Sequence, residues 1–121
     1  MLIAYAYCRV STEQQRDGYS LGVQLDQCRQ RAAADGYTIP DDGAFAEVFT
    51  GTAVRRTVLD AMLAQMLVDR PSRIYIPKLD RLARQLWVQE TLLRDIRARG
   101  ATVVPCDMPA LAEDSPTSIF V

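Results

Sequence analysis

The chain has 121 residues, 49% of them hydrophobic, and a formal net charge of −1. This length suits one globular domain with a buried core, and no apolar run approaches the ~20 residues that a membrane-spanning helix needs. The low net charge argues against an autonomous nucleic-acid-binding protein. Residues 70–99 nevertheless carry eight Lys and Arg against three Asp and Glu, which predicts a local basic surface on this half of the chain.

Histidine is absent from the sequence, which excludes Ser-His-Asp and Cys-His catalysis. A zinc site would also lack its commonest nitrogen ligand, and there is no Cys-x-x-Cys motif. The three cysteines, Cys8, Cys28 and Cys106, are odd in number and far apart in the sequence, as is typical of reduced, mostly buried thiols in a cytoplasmic protein. We therefore expect chemistry without a metal or other cofactor, carried by Ser, Arg, Lys, Asp, Glu, Gln or Tyr.

Strands and helices alternate along the first half of the chain. The mostly apolar start predicts a central parallel strand, and Ser20 is suited to cap a helix that stops at Gly36. Apolar residues at 4-3-4 spacing predict the buried stripe of this helix, namely Leu21, Leu25, Cys28 and Ala32. The predicted elements are a strand over residues 2–9, a helix over 20–35, a short strand over 37–39, a turn over 40–43 and a strand over 44–49.

The second half of the chain continues this alternation. A helix over residues 57–69, ended by Pro71, has a broad apolar face of Leu59, Met62, Leu63, Met66 and Leu67. A buried strand over 74–76 precedes a helix that runs to Arg99 with an apolar face of Leu82, Leu86, Leu93 and Ile96, and a strand over 101–105 follows. The β-α-β-α-β-α-β order predicts a three-layer α/β fold of Rossmann-like topology, with a mostly parallel sheet of four or five strands and helices on both faces.

The last seven residues have the pattern of a helix start. Ser115 suits an N-cap and Pro116 suits the first helical position, and apolar residues follow. A helix of one turn is not stable alone, because nucleation is unfavourable. We therefore expect one domain over residues 1–114, with residues 115–121 as the first turn of a long helix that continues in a larger protein. The alternative is a frayed natural C-terminus.

The strand over residues 74–76 runs directly into a charged segment, residues 78–84. Open α/β sheets place their functional sites just beyond the carboxyl ends of strands. Arg81 and Arg84 would share one helix face, and two guanidiniums on one face form a fork suited to phosphate. The alternative is a solvated first helical turn capped by Asp80. This segment alone does not decide between the two interpretations.

Further polar residues follow the other predicted strands. The carboxyl ends of parallel strands meet at one edge, which would bring together Arg9, Ser11 and Gln15, then Thr50, Arg55 and Arg56, then Lys78, Asp80, Arg81 and Arg84. A hydroxyl that faces several guanidiniums suits a phosphate substrate, with Ser11 as nucleophile and the arginines neutralising the developing charge. Taken singly, a serine after a strand is more often a turn residue or cap, and a surface arginine is usually a solvated charge.

These residues and their spacing resemble the catalytic domain of serine recombinases, the family of resolvases, invertases and phage-type serine integrases. The resemblance covers nearly the whole chain in order. The matching motifs are Tyr7-x-Arg9-Val-Ser11-Thr12, Gln15, Ser20-Leu21-x-x-Gln24, Glu47-x-x-Thr50-Gly51, Arg56-x-x-Leu59 and Lys78-Leu-Asp-Arg-Leu-x-Arg84. The first and last of the longer motifs are the most specific.

The resemblance implies a mechanism in which Ser11 attacks a DNA phosphodiester, forms a 5′-phosphoserine link and releases a 3′-hydroxyl. The link keeps the energy of the broken bond, so religation would need neither ATP nor metal. By the same resemblance, Arg9, Arg56, Arg81 and Arg84 surround the scissile phosphate, and Asp80 transfers a proton or orients an arginine. The supporting or phosphate-contacting positions are Gln15, Gln24, Lys78 and Tyr7.

Two departures from the family pattern are Thr50, where serine is common, and Thr57, where proline often follows the arginine. The spacer between Ser11 and Gln24 is closest to that of the large integrases and transposon enzymes.

The family acts as dimers and tetramers. We therefore expect residues 1–121 alone to be monomeric or weakly associated and inactive in recombination, with a DNA-binding domain after Val121. Trp87 shares a helix face with Arg84. An exposed tryptophan there would indicate a surface for a helix, a partner or DNA, and the alternative is a tryptophan that folds onto neighbouring loops.

Two other functions remain open at the level of sequence. One is a Rossmann-like enzyme that binds a nucleotide or phosphate, although no Gly-x-Gly-x-x-Gly motif follows a strand. The other is an oligomerisation module with an inactive site. The sequence does not identify the DNA target or distinguish integrase, resolvase and invertase, because phosphate contacts position a protein without specifying a sequence.

Overall fold

The computed structural model describes residues 2–11, 21–49, 57–78 and 86–107. Five strands and three helices alternate in this part of the chain. They are β1 (Leu2–Ser11), α1 (Leu21–Ala34), β2 (Tyr37–Thr38), β3 (Ala44–Phe49), α2 (Thr57–Asp69), β4 (Arg73–Ile76), α3 (Leu86–Ala98) and β5 (Thr102–Pro105). A single 3-10 turn, Asp41–Gly43, separates β2 from β3. No helix in these ranges is long and apolar enough to span a membrane.

The five strands form one parallel sheet with β1 in a central position. On one side of β1, β2 pairs with Leu2 and Ile3, and β3 pairs with the segment from Ala6 to Ser11. On the other side β1 pairs with β4, which in turn pairs with β5. Every one of these pairings is parallel, so the predicted parallel α/β sheet is confirmed.

Side chains alternate between the two faces of β1 and so build two separate cores. Tyr5 and Tyr7 lie in one core, with the following partners from β4, α2 and α3: Ile74, Ile76, Leu59, Met62, Met66 and Ile96. Ala4, Ala6 and Cys8 lie in the other core, where α1 contributes Cys28 and Ala32. Helix α1 therefore covers one face of the sheet and helices α2 and α3 cover the other, which confirms the three layers.

Glycine ends two of the helices as the sequence predicts. Gly36 follows α1 with a φ of 86°, and Gly100 follows α3 with a φ of 90°. These left-handed conformations are strained for residues with a β-carbon and allow the chain to turn back into the next strand.

The predicted apolar faces are partly wrong. Leu67 of α2 and Leu86 of α3 are exposed, although both were expected to be buried. The buried row of α2 is narrower than predicted, because Leu59, Met62 and Met66 already fill the space above the sheet. Leu86 lies at the start of α3, whereas the buried contact of this helix is made near its other end by Ile96.

The structure favours the exposed alternative for Trp87. Its side chain is 68% exposed and lies next to the exposed Leu86. The start of α3 therefore presents two large apolar side chains to solvent.

Tyr5 connects β1 to the end of α2 through a carboxylate. Its hydroxyl donates a hydrogen bond to Asp69 Oδ2 at 2.6 Å, and Gln65 Nε2 donates to the same oxygen at 3.0 Å. These hydrogen bonds, with that from Tyr5 as the larger effect, hold the pKa of Asp69 below its ordinary value of 3.8.

Replacing Tyr5 with phenylalanine is expected to destabilise the protein at neutral pH by an amount that shrinks in acid. A carboxylate whose pKa is lowered by folding stabilises the native state above its unfolded pKa, and this contribution is lost as the pH falls through the lowered folded-state pKa. Urea unfolding of both proteins across the acid range measures the effect. Tyr37→Phe is the control, because no acidic group accepts a hydrogen bond from Tyr37 within the described ranges. If the loss of unfolding free energy in Tyr5→Phe stays constant as the pH falls, the hydrogen bond from Tyr5 does not lower the pKa of Asp69.

Candidate active site

The carboxyl ends of the parallel strands lie at one edge of the sheet, as the sequence predicts. Ser11 is the last residue of β1 and is paired in register with Phe49, the last residue of β3. On the other side of β1, the neighbouring strand β4 ends at Ile76, which precedes the predicted segment 78–84. The backbone of the proposed nucleophile is therefore held at this edge by pairing on a central strand.

Tyr7 and Arg9 lie on β1 at alternate positions before Ser11. Tyr7 is fully buried in the core beneath α2 and α3, whereas Arg9 is half-buried. Alternation along a strand places Arg9 on the same face of the sheet as Tyr7, but nearer to the carboxyl edge. Tyr7 and Arg9 thus form a row along β1 that leads toward the edge.

Glu47 on β3 is a buried carboxylate beside this row. It is only 7% exposed, it is the register partner of Arg9, and its Oε1 accepts a hydrogen bond of 2.6 Å from the Tyr7 hydroxyl. Buried charges in proteins are normally paired or hydrogen-bonded. The sequence motif contains Glu47 but gives it no role. A single acidic residue in the apolar strand Ala44–Phe49 is a signal that could have identified Glu47 as a functional residue.

Gln24 of α1 is the second buried polar group near the edge. Its side chain is 0% exposed, and within the part of the chain that the structure describes neither its amide nitrogen nor its amide oxygen has a hydrogen-bond partner. It lies one turn into α1 in a buried row with Cys28 and Ala32, so the predicted stripe needs correction: Leu21 and Leu25 are only partly buried. Because α1 covers the opposite face of the sheet, the structure does not place Gln24 in the row of Tyr7 and Arg9.

Replacing Gln24 with methionine is expected to stabilise the protein by about 1 kcal/mol, since an unsatisfied buried amide costs roughly 1–3 kcal/mol. If the Gln24 side chain supports the reaction, as the resemblance of its motif implies, the same variant should cleave DNA more slowly. Urea unfolding and a cleavage assay measure these opposite effects. Gln30→Met, at an exposed position of the same helix, is the matched control; a Gln24→Met variant that is less stable than the parent would contradict the interpretation of this amide.

Lys78 is exposed two residues beyond the end of β4. It lines a cleft of about 460 Å³ together with its neighbour Pro77 and with residues from α1 and from the segment after β5, namely Gln27, Gln30, Arg31, Cys106 and Asp107. Two cationic side chains, Lys78 and Arg31, and one carboxylate, Asp107, therefore line this cleft. The structure therefore places Lys78 at the predicted edge, on the side that α1 covers.

Several predicted positions lie outside the described residues. They are Gln15, Ser20, Thr50, Arg55, Arg56, Asp80, Arg81, Leu82, Arg84 and the segment 115–121. For Ser11 the structure describes the backbone only. Of the ten predicted site residues, the structure therefore locates Tyr7, Arg9, Gln24 and Lys78 fully and Ser11 by its backbone.

The family model described as the N-terminal domain of resolvase matches residues 4–121. The chain belongs to this family. It is therefore the catalytic domain of a serine recombinase, a site-specific DNA recombinase. This membership favours the first of the three functions considered from the sequence.

Solved structures of serine recombinases share the fold of this recombinase domain. The N-terminal catalytic domain of TP901-1 integrase has a TM-score of 0.72 and 21% identity over 87% of this chain and 77% of that chain. The C-terminal catalytic domain of ISC1926 TnpA, an IS607-like serine recombinase, has a TM-score of 0.71 and 22% identity over 93% and 74%. A resolvase family site-specific recombinase from Streptococcus pneumoniae has a TM-score of 0.69 and 24% identity over 88% and 73%. Among curated proteins, none matches the chain significantly.

Proposed function

We propose that this recombinase domain cleaves DNA through Ser11, whose hydroxyl attacks a phosphodiester and forms a 5′-phosphoserine link with release of a 3′-hydroxyl. The observation that carries the proposal is the position of Ser11 at the carboxyl end of β1, two residues beyond Arg9 and in register with the end of β3. A nucleophile on a rigid strand end is held in a fixed position relative to its neighbours. Religation by attack of the 3′-hydroxyl on the same link then needs no external energy source.

Arginines supply the positive charge around the phosphate in this proposal. Arg9 precedes Ser11 on β1, Arg56 follows β3 in the sequence, and Arg81 and Arg84 follow β4. Guanidiniums bind phosphate oxygens in a bidentate manner and stabilise the charge that develops in phosphoryl transfer. Asp80 between these arginines is assigned to proton transfer or to orienting one of them.

Glu47 gives Arg9 a fixed orientation in the same proposal. The two residues are register partners on neighbouring strands and so lie on the same face of the sheet. The hydrogen bond from Tyr7 holds the Glu47 carboxylate in place. In this setting the attraction between a carboxylate and a guanidinium is screened less by water than at the surface. Tyr7 and Glu47 therefore act as positioning residues for Arg9, while Gln15, Gln24 and Lys78 support the serine or contact DNA.

The recombinase is proposed to work as an assembly of subunits on DNA. Exposed Leu86 and Trp87 at the start of α3 form an apolar surface beside the segment that carries Arg81 and Arg84, which suits a contact with another subunit or a helix. The matched family is an N-terminal domain, so we assign recognition of the DNA sequence to a separate domain. A DNA substrate and free thiols suit work in the cytoplasm.

A cleavage assay tests the proposed function. The full-length recombinase is incubated with a supercoiled plasmid that carries the DNA flanking its own gene, in the presence of EDTA, and the reaction is stopped with detergent. We expect broken DNA with protein on its 5′ ends and free 3′-hydroxyls, formed without metal because the arginines provide the charge. Cleavage that strictly requires a divalent cation, or that leaves protein on 3′ ends, would contradict the proposal.

A further inference from the structure

Two cysteines that are 78 positions apart in the sequence meet beside the basic cleft. The Sγ atoms of Cys28, on α1, and Cys106, directly after β5, are 3.9 Å apart. Cys8 of β1 is buried in the same core cluster as Cys28. All three carry free thiols. None of these thiols has a part in the proposed cleavage of DNA.

The two thiols of this pair differ in access to solvent. Cys28 is fully buried, whereas Cys106 is half-buried and lines the cleft of about 460 Å³ with Gln27, Arg31 and Lys78. A small reagent in the cleft can therefore reach Cys106 directly, whereas Cys28 lies inside the core.

The thiols also differ in acidity. The hydrogen bond between the Cys106 and Cys28 thiols is the largest cause that lowers the pKa of Cys106, and the nearby Arg31 adds to it, whereas partial burial and the carboxylates of Asp107 and Asp35 oppose it. Hydrogen bonds to Cys106 and Cys8, followed by burial, raise the pKa of Cys28. The accessible member of the pair is thus also the one that ionises more easily, in a cleft that Arg31, Lys78 and Asp107 line.

We propose that Cys106 is a redox modification site of this recombinase, at which a hydroperoxide oxidises Cys106 and Cys28 then closes a disulfide with it. In the first step the Cys106 thiolate attacks one peroxide oxygen, the O–O bond breaks, and Cys106 becomes a sulfenic acid while the other oxygen leaves as water or alcohol. In the second step the Cys28 sulfur attacks the Cys106 sulfur, and the hydroxyl group leaves as water with the proton of Cys28. The two thiols lose two electrons in total and the peroxide gains them.

The local structure permits the second step with little movement. The sulfurs must approach by about 2 Å to reach the length of a disulfide bond, and Cys106 is half-buried in the turn directly after β5. The backbone N–H of Cys106 donates to the Ile76 carbonyl at 2.7 Å, so the end of β5 is already held against the end of β4. The new bond would join α1 to these strand ends and fix the two walls of the cleft, including Lys78, relative to each other.

Peptide mapping of the oxidised protein tests this proposal. Trypsin separates the three cysteines into residues 1–9, 17–29 and 100–121. The reduced 121-residue chain is treated with one equivalent of hydrogen peroxide, its remaining thiols are blocked, and it is digested without reductant. We expect a cross-linked pair of the peptides 17–29 and 100–121, a loss of two hydrogens in the intact mass, and full reversal by dithiothreitol.

Variants distinguish the roles of the three thiols. Cys8→Ala should still form the cross-link, and Cys28→Ala should stop at a Cys106 sulfenic acid that dimedone traps. Cys106→Ser, at a half-exposed position, should remain folded by circular dichroism and lose both products. A cross-link between Cys8 and Cys28 in the parent, oxidation of Cys106 only to sulfinic or sulfonic acid while Cys28 remains a thiol, or no reaction at Cys106 would overturn the proposal.

Discussion

Replacing Ser11 with alanine is expected to abolish the covalent protein–DNA product. The variant lacks the oxygen that forms the new bond to phosphorus, and no other group can take its place in the 5′-phosphoserine link. Loss of a nucleophile that works as a unit with its partners lowers the rate by at least about 10⁴-fold. Gel electrophoresis of DNA cleaved by parent and variant, in detergent and with end-labelled DNA, measures the effect.

The Ser11→Ala variant should keep its fold. The backbone of Ser11 pairs in register with Phe49, and alanine makes the same backbone hydrogen bonds. Equal urea midpoints for parent and variant would show this. Thr12→Ala is the matched control, since it removes the neighbouring hydroxyl and should leave the covalent product unchanged. Covalent product from Ser11→Ala would show that another residue is the nucleophile.

Glu47 variants are expected to separate stability from activity. Glu47→Ala should lower the free energy of unfolding by about 2 kcal/mol, because it leaves the buried Tyr7 hydroxyl without its acceptor. Glu47→Gln should lose less stability, since its amide oxygen can accept the same hydrogen bond. Urea unfolding measures both changes, and Glu90→Gln on the exposed side of α3 is the control for loss of one carboxylate.

The activity of Glu47→Gln tests the positioning role. This variant keeps a hydrogen-bond acceptor for Tyr7 but removes the negative charge opposite Arg9. If the charge orients Arg9 toward the phosphate, the cleavage rate should fall about 10- to 100-fold, the range that small misplacements of catalytic groups produce. A folded Glu47→Gln variant that cleaves DNA at the parent rate would contradict the role given to Glu47.

Local signals in the sequence predict most of the architecture. The strand Ala44–Phe49 and the helix Thr57–Asp69 have the predicted bounds. The strand is preceded by a turn with Pro40 and Gly43, and Pro71 follows the helix, so both elements have clear boundaries. The position of Ser11 at the edge was also predictable, because parallel strands place their carboxyl ends together.

Contacts between distant segments were not predictable in the same way. The burial of Glu47 and its hydrogen bond to Tyr7 depend on the register between β1 and β3, which the sequence of either strand does not contain. That the amide of Gln24 has no hydrogen-bond partner among the described residues depends on everything packed around it. Cys28 and Cys106 meet only because α1 packs over the sheet near the end of β5.

The most direct test of the account is to identify the amino acid that carries DNA. Covalent protein–DNA complexes from the parent recombinase are digested with nuclease and then with trypsin, which releases Ser11 in the peptide of residues 10–16. Tandem mass spectrometry should find the residual nucleotide on this peptide, attached through a 5′-phosphate to Ser11. A nucleotide on Thr12, on Tyr7 in the peptide of residues 1–9, or anywhere else in the chain would contradict the central claim.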